Sequence, residues 1–263
     1  MFGSDMLAYL KDKNVDVTGR NSDQLDLTGD TDQIAQVISG FDVVINATAF
    51  TDVNGAESNR DLAFELNATV PEKLAKISAK HGQKLIHIST DYVFDGEKES
   101  EYETYDKPNP LNVYGESKLA GEIAVANNDP DALVIRTSWL YGPNGRCFPK
   151  TILEKLKTEQ SLSVVNDQFG TPTSTKFLAE FCYQAINQNF PGGIHHGVPR
   201  GSTSWFEFAK LLAGEESSMI NPVESSPGPG VAMRPKFGQL RPHDSVSKSW
   251  QETWNEAEAE FGQ

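Results

Sequence analysis

Three short stretches of this chain are almost continuously apolar and rich in β-branched residues: 42–47 (DVVINA), 84–89 (KLIHIS) and 132–137 (ALVIRT). Runs of that length without polar alternation predict strands covered on both faces, as in a parallel sheet. Longer stretches of helical period lie between them. One spans 62–81 and ends at Gly82, a residue suited to the left-handed turn that closes a helix. Another spans 117–126 and is closed by Asn127, Asn128 and Pro130. Strand, helix, strand, helix, strand is the order of βαβ units, so the pattern predicts an α/β fold around a parallel sheet.

From about Pro143 the strands shorten and Pro and Gly become frequent, with helices predicted over 148–158, 175–188 and 204–212. The segment 224–230 (ESSPGPG) has the composition of a loop. The acidic stretch 252–260 is expected to be one solvated helix face. Residues 1–142 then form a main domain and 143–263 mainly a smaller α+β lobe, with some segments returning to the main domain.

The formal net charge of −14 argues against broad attraction to nucleic acid or anionic lipid, so an anionic ligand would need a local cationic pocket. Cys147 and Cys182, the two cysteines, show neither a metal-ligand spacing nor a disulfide framework, which fits a reducing cytosol and two small buried side chains. No apolar run reaches the length of a membrane span, and no basic, apolar leader opens the chain. A cytoplasmic location is the expectation.

Candidate chemistry begins with Tyr114 and Lys118, four apart on one helical face, where an ammonium can lower the phenol's pKa by proximity. Alone, such a pair is more often a structural one, since Tyr and Lys four apart occur in many helices. Thr90 changes its weight, because it stands where the run 84–89 ends, at the carboxyl edge of a parallel strand where such sheets bind ligands. Thr90 as carbonyl partner, Tyr114 as proton donor and Lys118 as ribose anchor make an acid/base trio for hydride transfer.

These residues carry a resemblance. STDYVFDG at 89–96, then PLNVYGESKLAGE at 110–122, resemble the dTDP-4-dehydrorhamnose reductase family of extended short-chain dehydrogenases. NATAFTDV at 46–53, RTSWLY at 136–141, VVNDQFGTPT at 164–173 and RPHDS at 241–245 are similar to further family signatures, in the same order. The resemblance implies a Rossmann-like doubly wound sheet with a small substrate lobe, and reduction of the C4 ketone of a dTDP-linked 4-keto-6-deoxy sugar. It implies Thr90, Tyr114 and Lys118 as the catalytic set. It places Thr51, Val53, Thr90, Asp91 and Trp139 at the sugar nucleotide. For the cofactor it implies Gly3, Asp26, Leu27, Ala49, Phe50, Thr51, Ile88, Tyr114 and Lys118. The cofactor would be NADPH or NADH. Arg20, just past a short strand predicted around 15–18, could meet a 2′-phosphate and tilts the expectation to NADPH, although a surface arginine there is equally ordinary. Some members of the family dimerise through acidic residues and Mg²⁺. The corresponding glutamates are not assignable here, so no metal ligand is named and a homodimer stays open.

One part of the pattern departs. The family opens on a strand and a Gly-x-x-Gly-x-x-Gly turn whose amides bind pyrophosphate, whereas Met1 to Asp5 align only with the last glycine and the helix after it. The expectation is a native start further upstream. The alternative is a short form acting as a non-catalytic binding or regulatory subunit, as in the similar β subunit of methionine adenosyltransferase. Two weaker signals complete the reading. His195 and His196 are adjacent on a strand and point to opposite faces, so they are not read as a metal pair. Trp205, Phe206 and Phe208, at helical spacing, are read as core rather than as a stacking site.

Overall fold

The computed structural model describes residues 1–226, 228 and 230–261. Its centre is a four-stranded parallel sheet in the order β1 (Val43–Asn46), β2 (Lys84–Thr90), β3 (Leu133–Thr137) and β5 (Gly193–His196). The three apolar runs are the first three of these strands. A second parallel pair, β4 (Leu162–Val165) with β6 (Ile220–Val223), lies in the C-terminal part. The principal helices are α1 (Phe2–Asp12), α2 (Thr31–Ile38), α3 (Val70–His81), α4 (Val113–Asn128), α5 (Phe148–Leu156), α6 (Thr175–Asn187), α7 (Trp205–Ala213) and α8 (Trp250–Ala257).

Both faces of the sheet are covered, which is why its strands read as continuous apolar runs. Ile86, Leu133 and Ile135 bury one face against Phe2, Met6 and Leu10 of α1 and Phe177, Leu178 and Phe181 of α6. Leu85 and Val134 bury the other against Ile34 and Ile38 of α2, Leu74 and Ile77 of α3 and Val125 of α4. A separate apolar cluster joins α5, α7 and α8 through Ile152, Phe208, Trp250 and Trp254, with Leu162, Val164 and Ile220 from β4 and β6. Two segments of 143–263, α6 and β5, pack on the main sheet instead.

Gly82 takes φ 66° at the end of α3, the left-handed cap that its position suggested. The helix expected over 62–81 is interrupted: Arg60–Phe64 runs into a π turn, Glu65–Thr69, before α3 begins. Helix α4 begins at Val113, four residues before the predicted start, because the Asn112 side chain caps it by accepting from the Gly115 amide at 2.8 Å. The strand expected around 15–18 does not form. No strand lies beside that segment among the described residues to share a ladder, and Val17 is its one half-buried side chain, packed against the core cluster of α1 and α6.

In the expected loop 224–230, Ser225 is fastened to Asp167 by its amide (3.0 Å) and its hydroxyl (2.7 Å). Pro227 and Pro229 lie outside the described residues. The acidic stretch 252–260 keeps its glutamates outward while Thr253, Trp254 and Ala257 are buried. Both cysteines are free and buried. Among the described residues no helix is long and apolar enough to cross a membrane.

Candidate active site at the carboxyl end of β2

Thr90 ends β2, and its hydroxyl accepts from the Tyr92 amide at 3.2 Å, capping the short 3-10 turn Asp91–Val93. The first turn of α4 packs on that turn so closely that a Cβ on Gly115 would lie 2.2 Å from the Tyr92 carbonyl oxygen. Only glycine lets the helix approach this far. Its neighbour Tyr114 is thereby brought edge-on to Tyr92, with ring centroids 5.5 Å apart, and to the Thr90 hydroxyl. Lys118, one turn on, is 2 % exposed and donates its Nζ to the Ile88 carbonyl oxygen at 2.6 Å. The three residues singled out in the sequence therefore meet at the end of one strand.

Burial dominates the electrostatics. The Tyr114 phenol is pushed up from its ordinary value by desolvation; hydrogen bonding from Thr90 works the other way, and Asp91 and Tyr92 add to the rise. This differs from the expectation of a phenol acidified by Lys118, since the ammonium is directed to Ile88 and desolvation outweighs the remaining interactions. Lys118 is itself pulled down to about 8 by burial, against the pull of Glu122. Asp91, 2 % exposed, is pushed up to about 7 by burial, although it accepts from the Thr90 hydroxyl at 3.0 Å.

Behind the trio, Glu122 of α4 and Arg136 of β3 form a two-pronged ion pair, Nε to Oε1 at 2.9 Å and Nη2 to Oε2 at 2.6 Å. Ser89 also donates to Glu122, at 2.5 Å, and the guanidinium lies over the Phe94 ring. This seam ties α4 to β2 and β3 beneath the reacting groups.

The loop after β1 holds Ala49, Phe50 and Thr51. Asn67, in the π turn, grips it by accepting from the Phe50 amide (2.8 Å) and donating to the Phe50 carbonyl (3.1 Å). Its amide nitrogen also donates to Ser117 in α4 at 2.9 Å. The π turn itself rests on α4, where a Cβ on Gly121 would lie 2.0 Å from the Asn67 carbonyl oxygen. Gly3 adjoins the start of the same loop, since a Cβ there would sit 3.3 Å from that of Ala47. Ile88 is half-buried at the end of β2. Asp26 is exposed and accepts from the Thr28 amide and hydroxyl, which lowers its carboxyl. Leu27 packs on the core, and Arg20 is exposed on the segment after α1. Among the described residues no three His, Cys, Asp or Glu side chains are grouped to hold a metal, so Mg²⁺ gains no support. His195 and His196 turn to separate carbonyls, those of Pro191 and Arg241.

A cleft of about 640 Å³ opens from Tyr92 into the C-terminal part, with Phe148, Lys155, Trp205, Met233 and Arg234 on its walls. Lys155 and Arg234 bring positive charge to its walls, with Glu159 also on the lining. Trp205 is half-buried against the core, as its spacing suggested, and also forms part of the cleft wall, while Phe208 is fully buried. It stacks on Trp139 with centroids 3.5 Å apart and planes 6° from parallel. Trp139 has φ 46°, and a Cβ on Gly170 would meet its ring at 2.4 Å. Of the other residues expected at the sugar nucleotide, Asp91 is covered by Gly238, Thr51 lies on the loop after β1, and Val53 opens the short helix Val53–Ser58 that follows it.

The family model of the RmlD substrate binding domain matches residues 1–261. The chain belongs to that family. Among relatives in this family, dTDP-4-dehydrorhamnose reductase of Salmonella typhimurium is 40 % identical over 228 residues, 80 % of this chain and 76 % of its own. The Mycobacterium tuberculosis enzyme of the same name is 37 % identical over 246 residues, 90 % and 81 % of the two chains. A dTDP-4-dehydrorhamnose reductase from Bacillus anthracis, solved in complex with NADP, superposes with a TM-score of 0.91 at 33 % identity, covering 98 % of this chain and 95 % of the other. A Clostridium acetobutylicum orthologue gives 0.93 at 34 %, covering 100 % and 96 %. The α/β architecture with its parallel sheet is the one these family structures share.

Asn67, Lys155 and Arg234 were not singled out in the sequence, and Trp205 was named there only as a core residue. A polar residue inside a predicted helix, as Asn67 is, was the one available signal. The others gain meaning only from folding distant segments onto a common cleft.

Proposed function

We propose that this chain is a dTDP-4-dehydrorhamnose reductase, reducing the C4 ketone of dTDP-4-dehydro-6-deoxy-L-mannose to dTDP-L-rhamnose with NADPH. The observation that carries the reading is the convergence of Thr90, Tyr114 and Lys118 at the end of β2, beside a cleft walled by Lys155, Arg234 and Trp205. The names of the relatives and the NADP complex of a family structure support it.

When bound, the nicotinamide supplies the hydride. The chain's own work is to hold the ketone and to deliver the proton. Thr90 takes the carbonyl oxygen, and Tyr114 gives its phenolic proton to that oxygen as negative charge develops there. The upward shift of the phenol keeps it protonated at working pH. It still suits donation, because an alkoxide in the same desolvated site is a far stronger base. Lys118 would bind the ribose, and Ala49, Phe50, Thr51 and Ile88 would line the nicotinamide side. Gly3, Asp26 and Leu27 would serve the adenosine half, with Arg20 at a 2′-phosphate. Thr51, Val53, Asp91 and Trp139 are proposed at the sugar, and Lys155 and Arg234 at the diphosphate. Residues 1–142 would carry the cofactor, and the lobe within 143–263 most of the nucleotide sugar.

The test is oxidation of NADPH, followed spectroscopically, with the dTDP-4-keto-6-deoxy sugar as substrate. Turnover that Tyr114→Phe lowers on the order of 10²- to 10⁴-fold is expected. Absence of turnover with bound substrate would favour a binding subunit, and a preference for a UDP sugar would reassign the nucleotide.

A further inference from the structure

Thr90 has one proton and two lone pairs to distribute. One lone pair is taken by the Tyr92 amide at 3.2 Å. The Asp91 carboxylate, as an acceptor only, takes the proton: Oγ1 lies 3.0 Å from Oδ1. With its proton so committed, Thr90 has only a lone pair left to offer toward Tyr114. That orientation is wrong for the reduction. Thr90 would draw the Tyr114 proton to itself and have nothing to donate to a ketone oxygen.

A proton on Asp91 reverses the inventory. The carboxylic O–H then donates to the second Thr90 lone pair, both lone pairs are filled, and the threonine proton can only point away, toward the ketone and Tyr114. Asp91 is placed for this change. It is buried beneath Gly238, where a Cβ would come within 2.6 Å of Oδ2, and solvent cannot stabilise its charge. The titratable groups facing it are Tyr92, next in the turn, and Tyr114 from α4. Arg234, from the segment over the site, acts on Tyr92.

We propose that Asp91 is a positioning residue whose protonation sets the direction of the Thr90 hydroxyl, the protonated form presenting the threonine proton to the substrate ketone. The inference rests on the reading of Thr90 as the carbonyl partner. The shift of Asp91 to about 7 puts this reorientation within the working range.

Rates of the full-length protein measured against pH, together with infrared spectra of the ligand-free protein, test it. Reduction by the wild type is expected to fall as pH rises through about 7, and Asp91→Asn, whose side chain does not titrate, to lose that inflection. A protonated-carboxyl band is expected at low pH, fading over the same range and shifting in Thr90→Val, whose side chain cannot accept its hydrogen bond. An unchanged inflection in Asp91→Asn overturns the proposal. So does the lack of a carboxyl band that responds to Thr90→Val, a measurement that does not depend on Asp91→Asn folding. The failure of the underlying reading looks different: Thr90→Val would then keep the wild-type rate. Loss of rate in Thr90→Val with an intact inflection in Asp91→Asn sinks the Asp91 role alone.

Discussion

Lys118 and Ile88 are joined by a 2.6 Å hydrogen bond from the buried ammonium to the main-chain carbonyl, and this bond fixes where the lysine's charge sits relative to β2. The ammonium is held at the strand's end by the backbone rather than by the phenol of Tyr114. Its burial brings its pKa to about 8, so the charge is lost within an accessible pH range.

The sign for activity and for stability differs. Reduction that needs the ammonium should decline above about pH 8. For stability, the folded chain binds fewer protons at Lys118 than the unfolded chain between about 8 and 10.5, so this group makes stability rise with pH across that window. In Lys118→Met the activity should be low throughout and the stability gain over that window should flatten. Initial rates and urea midpoints measured against pH check both.

Asn67 spends its side chain on the Phe50 amide and carbonyl and on Ser117. Asn67→Ala removes these bonds, each worth about 1 kcal/mol, and frees the loop proposed to line the nicotinamide. Calorimetric titration with NADPH should show a Kd raised roughly tenfold. An unchanged Kd would separate this loop from the cofactor.

The Glu122–Arg136 pair is 3 % and 1 % exposed at its side chains and cannot be replaced by water when broken. Glu122→Gln should lower unfolding free energy by roughly 3–5 kcal/mol, because it strands a buried guanidinium. Replacing both partners by Met should recover much of that loss. Denaturant unfolding of the two variants distinguishes an indispensable charge pair from a replaceable one.

Trp205 stands between the cleft and Trp139, in face-to-face contact. Trp205→Ala removes a contact worth about 0.5–1.5 kcal/mol beyond its buried area, so KM for the sugar nucleotide should rise roughly 2- to 10-fold, with kcat changing less. The opposite split, a fall in kcat alone, would place Trp205 at the reacting centre instead of the nucleotide wall.

Much of this architecture was legible before folding, for reasons that particular residues make plain. The runs at 42–47, 84–89 and 132–137 are strands because burial on both faces selects apolar residues at most of their positions. Gly82 ends its helix because only a residue without Cβ takes φ 66° at little cost. Tyr114, Lys118 and Thr90 could be named because their chemistry shows in residue type, chain spacing and position at a strand's end.

What the sequence could not decide depends on neighbours brought from elsewhere in the chain. The segment 15–18 has strand composition, but a ladder needs a partner's N–H and C=O groups and no strand among the described residues lies alongside it. Trp205 has the spacing of a core residue, yet its exposure was settled by Trp139 and the cleft. The direction of the Lys118 ammonium was set by the Ile88 carbonyl, and the proton affinities of Lys118, Tyr114 and Asp91 by desolvation. Local order thus follows from the periodicity of the chain, whereas proton affinities and the walls of a binding cleft exist only once tertiary contacts exclude water.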